Sequence, residues 1–154
     1  MKKIHIQERY AMNKEGLLLF LIISAGLDIK RKEVSMVLTG LFAAAAVICN
    51  LAYQQIPVII WVCGILPGIF FLAAGWATRG AVGSGDGFVI AVCGLFLGIW
   101  GNIQLLLIAL FLSALYSMVL IVVKKVKRSH TIAFIPFLLL GYIIMLTFAG
   151  GEVY

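Results

Sequence analysis

The apolar residues of this chain occur in long runs, which short polar stretches, glycines and prolines separate. Taking Gly, Pro and charged residues as boundaries divides the chain into six apolar segments. These segments are 10–27, 35–53, 57–78, 87–100, 102–123 and 131–149. Most are close to the roughly 20 residues that one helical membrane crossing requires. The pattern therefore predicts an all-α integral membrane protein with about six transmembrane helices in one bundle.

The composition also points to a membrane. The 154 residues are 64% hydrophobic and 12% charged, with a mean hydropathy of +1.15, whereas soluble domains are roughly 45 to 50% apolar. Six crossings leave no room for a separate soluble domain, so we expect residues 1–154 to form a single membrane-embedded domain. Because apolar segments continue to the end of the chain, the first segment is expected to be retained rather than cleaved as a signal peptide.

The charged residues predict an orientation. The chain has 12 Lys and Arg against 6 Asp and Glu, and in a membrane protein such an excess indicates topology rather than nucleic-acid binding, because Lys and Arg accumulate in cytoplasmic connections. Basic residues follow the first, third and fifth segments, while the connections after the second and fourth are uncharged. Both termini are therefore predicted outside, although the basic N-terminal tail opposes this. The basic connections contain Lys30, Arg31, Lys32, Arg79, Lys124, Lys125, Lys127 and Arg128.

Two acidic residues lie at segment ends on one predicted face of the membrane. Asp28 follows the first segment, and Asp86 precedes the fourth within GSGDG. Two crossings separate them, so both carboxylates return to the same face. Two close carboxylates cannot both ionise at low cost, so one can activate a water as a base while the other donates a proton to a peptide carbonyl. This is aspartic protease chemistry, although each Asp alone also fits a plainer role, as a helix N-cap or an interfacial charge.

Four stretches resemble the type IV prepilin peptidases, which are membrane aspartic proteases with a GxGD motif. GSGD (83–86) matches that motif, and LDIKRKEVS (27–35) resembles the segment around the other catalytic aspartate. ILPGIFFLAAGWATRG (65–80) and HTIAFIPFLLLGY (130–142) resemble the third and last helices. The chain departs from the family at Val34 and Ser35, where Ile-Pro is typical.

The resemblance implies a multi-pass enzyme of the cytoplasmic membrane that cleaves the leader peptide of prepilin-like or preflagellin-like proteins at the cytoplasmic face. It implies Asp28 and Asp86 as catalytic residues. It also implies an active-site loop of Gly83, Gly85 and Gly87, whose glycines permit unusual dihedrals and close approach of a substrate strand. The implied partners are the prepilin-like substrate and the lipid bilayer, with no metal or organic cofactor.

Larger members of that family add an N-terminal region with paired CxxC motifs and a methyltransferase activity. Cys49, Cys63 and Cys93 show no CxxC spacing, so the chain resembles the short form, which is expected to cleave without methylating.

Two alternatives to a protease are a non-catalytic membrane assembly factor and a small proton- or cation-coupled transporter. A transporter favours acids near the membrane midplane or discontinuous helices in paired halves, whereas Asp28 and Asp86 both fall at segment ends. Within the protease hypothesis, helix dipoles favour negative charge at a helix N-terminus. They predict Asp86 as the ionised base and Asp28 as its protonated partner.

Overall fold

The computed structural model describes residues 2–31, 34–53, 57–78, 83–124 and 133–148. Throughout these ranges the regular structure is helical and contains no strand, which confirms the all-α prediction. The helices are α1 (Lys2–Arg31), α2 (Met36–Tyr53), α3 (Val58–Cys63), α4 (Leu66–Ala77), α5 (Ser84–Lys124) and α6 (Ile135–Phe148).

Two stretches of the described chain are long and apolar enough to cross a membrane. One is Val58–Ala77, which combines α3 and α4, and the other is Gly85–Val122 within α5. Met36–Ala52 and Ile135–Phe148 form shorter apolar helices. The lengths and compositions of these helices support a membrane protein, while six separate crossings stay a prediction.

Helix α5 is bent sharply at Gly98, which has φ 69° and ψ −177°, a left-handed conformation that glycine adopts without steric cost. The side-chain amide of Asn102 donates to the carbonyl of Ile90 at 3.0 Å. In a straight helix these residues would be about 18 Å apart along the axis, so the chain doubles back at Gly98. The result is a first arm (84–97) and a second arm (99–124).

The predicted break at Gly101 and Asn102 is therefore misplaced by a few residues. Gly94, Gly98 and Gly101 all interrupt the apolar run, and only Gly98 among the described glycines has positive φ. Asn102 instead lies fully buried in the second arm, where its amide nitrogen also donates to the carbonyl of Gly64 at 2.8 Å.

Buried amides bind the carbonyls that the bend leaves without helical partners. The last four carbonyls of a helix have no intrahelical donor, and Leu95 lies among these at the end of the first arm. The amide of Asn50 in α2 donates to the carbonyl of Leu95 at 2.7 Å. Asn50 therefore attaches α2 to the bend of α5.

Close packing of small residues joins α3 and α4 to the first arm of α5. A Cβ on Gly68 would lie 2.5 Å from the backbone nitrogen of Ala91, and a Cβ on Gly94 would overlap the carbonyl oxygen of Gly64. Small residues at four-residue spacing are what allow helix backbones to approach this closely in membranes. This contact fixes the position of α5 along α3 and α4, and with it the position of Asp86 in the first turn of α5.

Helices α1 and α6 pack antiparallel. Leu17, Phe20 and Leu21 of α1 are fully buried, as are Leu138 and Tyr142 of α6. At one end of the pair, the Tyr142 hydroxyl donates to the carbonyl of Lys14 at 3.2 Å. The opposite ends of the two helices therefore meet as well, and that end contains Asp28.

The prolines at positions 67 and 136 lie at helix starts. Pro67 is in the first turn of α4, and Pro136 is the second residue of α6, positions where its missing N–H costs nothing. With Pro136 in its first turn, α6 begins at Ile135, later than the predicted 131. Helix α5 begins at Ser84, earlier than the predicted 87.

Candidate active site

Asp28 lies in the last turn of α1 and is only 7% exposed. Its Oδ2 atom accepts a hydrogen bond from the backbone N–H of Ile135 at 3.3 Å. Ile135 is the first residue of α6, 107 positions further along the chain. The antiparallel packing of α1 and α6 thus carries the first predicted acid to the beginning of the last helix.

Asp86 lies in the first turn of α5 and is half-buried. Its backbone N–H donates to the carbonyl of Gly83 at 3.1 Å, which begins the helix at this point. The carboxylate of Asp86 interacts electrostatically with that of Asp28. The structure therefore brings together the two acids that the sequence singled out, and their like charges oppose simultaneous ionisation.

The three glycines around Asp86 have different neighbours. A Cβ on Gly83 would lie 2.9 Å from Oδ2 of Asp86, and one on Gly87 would lie 2.7 Å from Cγ of Leu72 in α4. A Cβ on Gly85 would lie 2.6 Å from Cγ2 of Val34. Each glycine thus makes room for a neighbouring group.

The freedom of these glycines to take left-handed dihedrals is not used here, since none of the three has positive φ. Gly85 and Gly87 lie inside α5, and Gly98 is the one glycine with positive φ in the described part of the chain. The physical reason is that α5 begins before Asp86 rather than after it. Whether a substrate strand approaches these glycines stays a prediction.

Val34 connects the two acidic segments. It follows Asp28 by six positions and packs against Gly85, next to Asp86. In the sequence, Val34 was notable only as a departure from the family's Ile-Pro. In the structure, its branched apolar side chain makes the contact with Gly85. It sets the distance between the chain after α1 and the first turn of α5.

Two contributors to the site were not predicted from the sequence. One is the contact of Val34, and the other is the N–H of Ile135. Pro136 was a usable signal for the second, since proline is frequent in the first turn of a helix. Pro136 indicates where α6 begins, and so where its N–H groups lack helical partners, but it does not indicate which acid accepts a hydrogen bond from them.

Several predicted residues cannot be placed. Lys32, Glu33, Arg79, Lys125, Lys127 and Arg128 lie outside the described residues, while Lys30 is exposed. Within the described ranges, His, Cys, Asp and Glu side chains do not form a group of three that could hold a metal ion.

A groove with a cavity volume of about 300 Å³ lies beside the site, between α2 and the first arm of α5. Its lining is almost entirely apolar and includes Met36 and Phe88, with the small residues Gly40, Ala43 and Ala91. Phe88 follows Asp86 by two residues, so the groove begins within one turn of Asp86 along α5, on the other side of the helix. A Cβ on Gly40 would meet no atom within 4 Å, which shows that the groove is open there.

Comparison with known proteins identifies the class of the molecule. Residues 16–122 match the type IV leader peptidase family. No curated protein and no solved structure matches the chain. The matched residues contain both Asp28 and Asp86 and end before α6. Because the match extends over more than half of the sequence, the chain belongs to the type IV leader peptidase family.

Proposed function

We propose that this protein is a membrane aspartic endopeptidase that removes the leader peptide of a prepilin-like protein, with Asp28 and Asp86 as the catalytic pair. The observation that carries the proposal is the pairing itself. Two acids from separate helices meet at one end of the bundle, one buried and one half-buried, close enough for their charges to interact. Family membership supports a peptidase, and the paired acids supply a mechanism for it.

In the proposed reaction one carboxylate removes a proton from water, and the water oxygen attacks the carbonyl carbon of the scissile peptide bond. The protonated carboxyl group gives its proton to the carbonyl oxygen, which forms a neutral tetrahedral diol. The C–N bond then breaks as the amide nitrogen takes the proton held by the first carboxyl group. The second carboxylate recovers a proton from a diol hydroxyl. Both acids return to their starting states without a metal or organic cofactor.

We place the apolar helix of the substrate in the groove between α2 and the first arm of α5, which begins within one turn of Asp86 along α5. Gly40, Ala43 and Ala91 allow a helix backbone to approach closely, and the other lining residues except Thr39 are apolar, as a membrane-embedded partner requires. The substrate residues just before that helix would reach the acids in extended form, because the carbonyls inside a helix are shielded from attack. The position of the substrate helix in the groove would therefore determine which peptide bond reaches the acids.

We further propose that the acid pair faces the cytoplasm in a multi-pass protein of the cytoplasmic membrane. The support is the run of basic residues that follows Asp28 directly, since such residues accumulate on the cytoplasmic side. Lys30 in this run is exposed at the end of α1, on the same end of the bundle as the pair.

Replacing either acid by its amide tests the proposal. Asp28→Asn and Asp86→Asn keep the side-chain shape but cannot exchange the proton, so each should lower the rate of prepilin cleavage by at least about 100-fold. Cleavage would be followed by gel mobility and mass spectrometry on purified protein in liposomes, incubated with a set of prepilins. Glu15→Gln removes an exposed acid of the same helix and should cleave normally.

The same assay separates the protease from its alternatives. If either Asp variant inserts normally and cleaves at the wild-type rate, the acid-pair mechanism is wrong. An assembly factor or transporter would then be the better hypothesis, and ion flux into the same liposomes would distinguish those two.

A further inference from the structure

The first turn of α6 offers a single N–H group to its surroundings. The N–H groups of Phe137 and Leu138 both donate to the carbonyl of Phe134, at 2.9 and 3.4 Å. Pro136 has no N–H. Ile135 is therefore the residue of this turn whose N–H is directed out of the helix, and it donates to Oδ2 of Asp28.

This contact favours a negative charge on Asp28. A hydrogen bond from an N–H to an ionised carboxylate is stronger than one to a neutral group. The N-terminal end of α6 also carries partial positive charge. Burial of Asp28 disfavours its charged form through loss of hydration, and the same burial strengthens these two interactions because water screens them less.

A negative charge on Asp28 has a consequence for Asp86. The two carboxylates interact, and a second negative charge beside the first is disfavoured. Asp86 also lies at a helix N-terminus, in the first turn of α5, so α5 favours charge on Asp86 as α6 does on Asp28, while the C-terminal end of α1 opposes charge on Asp28. The direct hydrogen bond from Ile135 to Asp28 is the interaction that favours Asp28 over Asp86.

We propose that the backbone N–H of Ile135, held in place by Pro136, is a positioning group that keeps Asp28 as the charged member of the pair. Asp28 then removes the proton from water, and Asp86 donates a proton to the peptide carbonyl. This inference rests on the proposed protease function. It also extends it, because α6 lies outside the residues matched by the family and the expectation from helix dipoles assigned the opposite roles.

Two variants of Ile135 test the proposal because they separate the N–H from the side chain. Ile135→Pro removes the N–H at a helix start, where proline is tolerated. Ile135→Ala keeps the N–H while removing more of a fully buried side chain. We expect kcat of the proline variant to fall about 10- to 100-fold below that of the alanine variant, with KM within about twofold of wild type.

Both variants lose atoms of the buried side chain, so the melting temperature in detergent should fall in both. The order of the melting temperatures should therefore differ from the order of the kcat values. Equal kcat values for the two variants, with Asp28→Asn inactive, would overturn the positioning role and leave the protease in place. Full activity of Asp28→Asn would instead overturn the protease itself. If the proline variant does not insert, the α-hydroxy acid analogue of isoleucine at position 135 replaces the N–H by an ester oxygen and keeps the side chain, and the same comparison applies.

Discussion

At the scale of single residues, the two acids differ in their structural surroundings as they do in their sequence surroundings. Asp28 is buried under the first residue of α6, while Asp86 is half-buried and has Gly83 beside its carboxylate. Asp86 is therefore the more accessible carboxylate of the two. Asp28 is held in a fixed position by the hydrogen bond that it accepts from the N–H of Ile135.

Gly85 and Val34 should be coupled in activity. A Cβ at position 85 would lie 2.6 Å from Cγ2 and 3.0 Å from Cβ of Val34, and a β-branched side chain has few other rotamers to move into. Gly85→Ala must therefore displace Asp86 relative to Asp28, and kcat/KM should fall about 10- to 100-fold. Adding Val34→Ala should restore most of the activity.

A double-mutant cycle on kcat/KM measures this coupling. Val34→Ala alone should retain most activity, and Gly26→Ala, at an exposed helical glycine whose Cβ meets no atom within 4 Å, should be close to wild type. If the double variant is no better than Gly85→Ala alone, Gly85 is needed for something other than Val34, with substrate approach the remaining explanation.

The sequence predicted the acids and glycines of the site because they form contiguous motifs. Asp28 and Asp86 could be paired by counting crossings between them. The donor to Asp28 could not be predicted, because it is a backbone N–H and any residue type at position 135 except proline would supply it. The contact of Val34 was missed for a related reason, since an apolar side chain beside a helix gives no distinctive pattern.

At the scale of helices, the apolar runs predicted which parts of the chain are helical but not where the runs bend. The run from 85 to 122 would form a straight helix about 57 Å long, nearly twice the roughly 30 Å apolar core of a membrane. A break was therefore predictable. Its position at Gly98 was not, because it depends on contacts between distant parts of the sequence, namely Asn50 with the carbonyl of Leu95 and Asn102 with the carbonyl of Gly64.

The groove between α2 and α5 should bind the apolar helix of the substrate, so filling it should weaken substrate binding. Gly40→Phe places a ring where the added Cβ meets no atom within 4 Å, and the fold should therefore tolerate it. We expect KM for a prepilin in liposomes to rise about tenfold or more, with no loss of thermal stability in detergent.

Gly26→Phe is the matched control for this experiment. Gly26 is also helical, exposed and free of atoms within 4 Å of an added Cβ, but it lies on α1 outside the groove. Its KM should be unchanged. Unchanged kinetics in Gly40→Phe as well would mean that the substrate helix binds elsewhere, with lipid in the groove.

At the scale of the whole molecule, three helices distant in sequence supply the site. Helix α1 provides Asp28, α5 provides Asp86, and α6 provides the N–H of Ile135. The antiparallel pair of α1 and α6 places Lys14 and Tyr142 at one end and Asp28 and Ile135 at the other. The molecule therefore has one end with the acid pair and one end without it, and its orientation in the membrane decides where cleavage occurs.

Cysteine labelling at the two ends of α1 should show that the acid pair faces the cytoplasm. Glu15 and Lys30 are both exposed and lie about 22 Å apart along the helix, on either side of its uncharged run 16–27, so both positions are expected near the headgroups. In a variant with Cys49, Cys63 and Cys93 replaced by alanine, Lys30→Cys should react with a membrane-impermeant maleimide only after permeabilisation. Glu15→Cys should react in intact cells, because the basic residues after Asp28 keep the opposite end of α1 on the cytoplasmic side. Retained prepilin cleavage would confirm that each variant is folded, and the reverse labelling pattern would place the acid pair outside the cell, contrary to the proposed cytoplasmic cleavage.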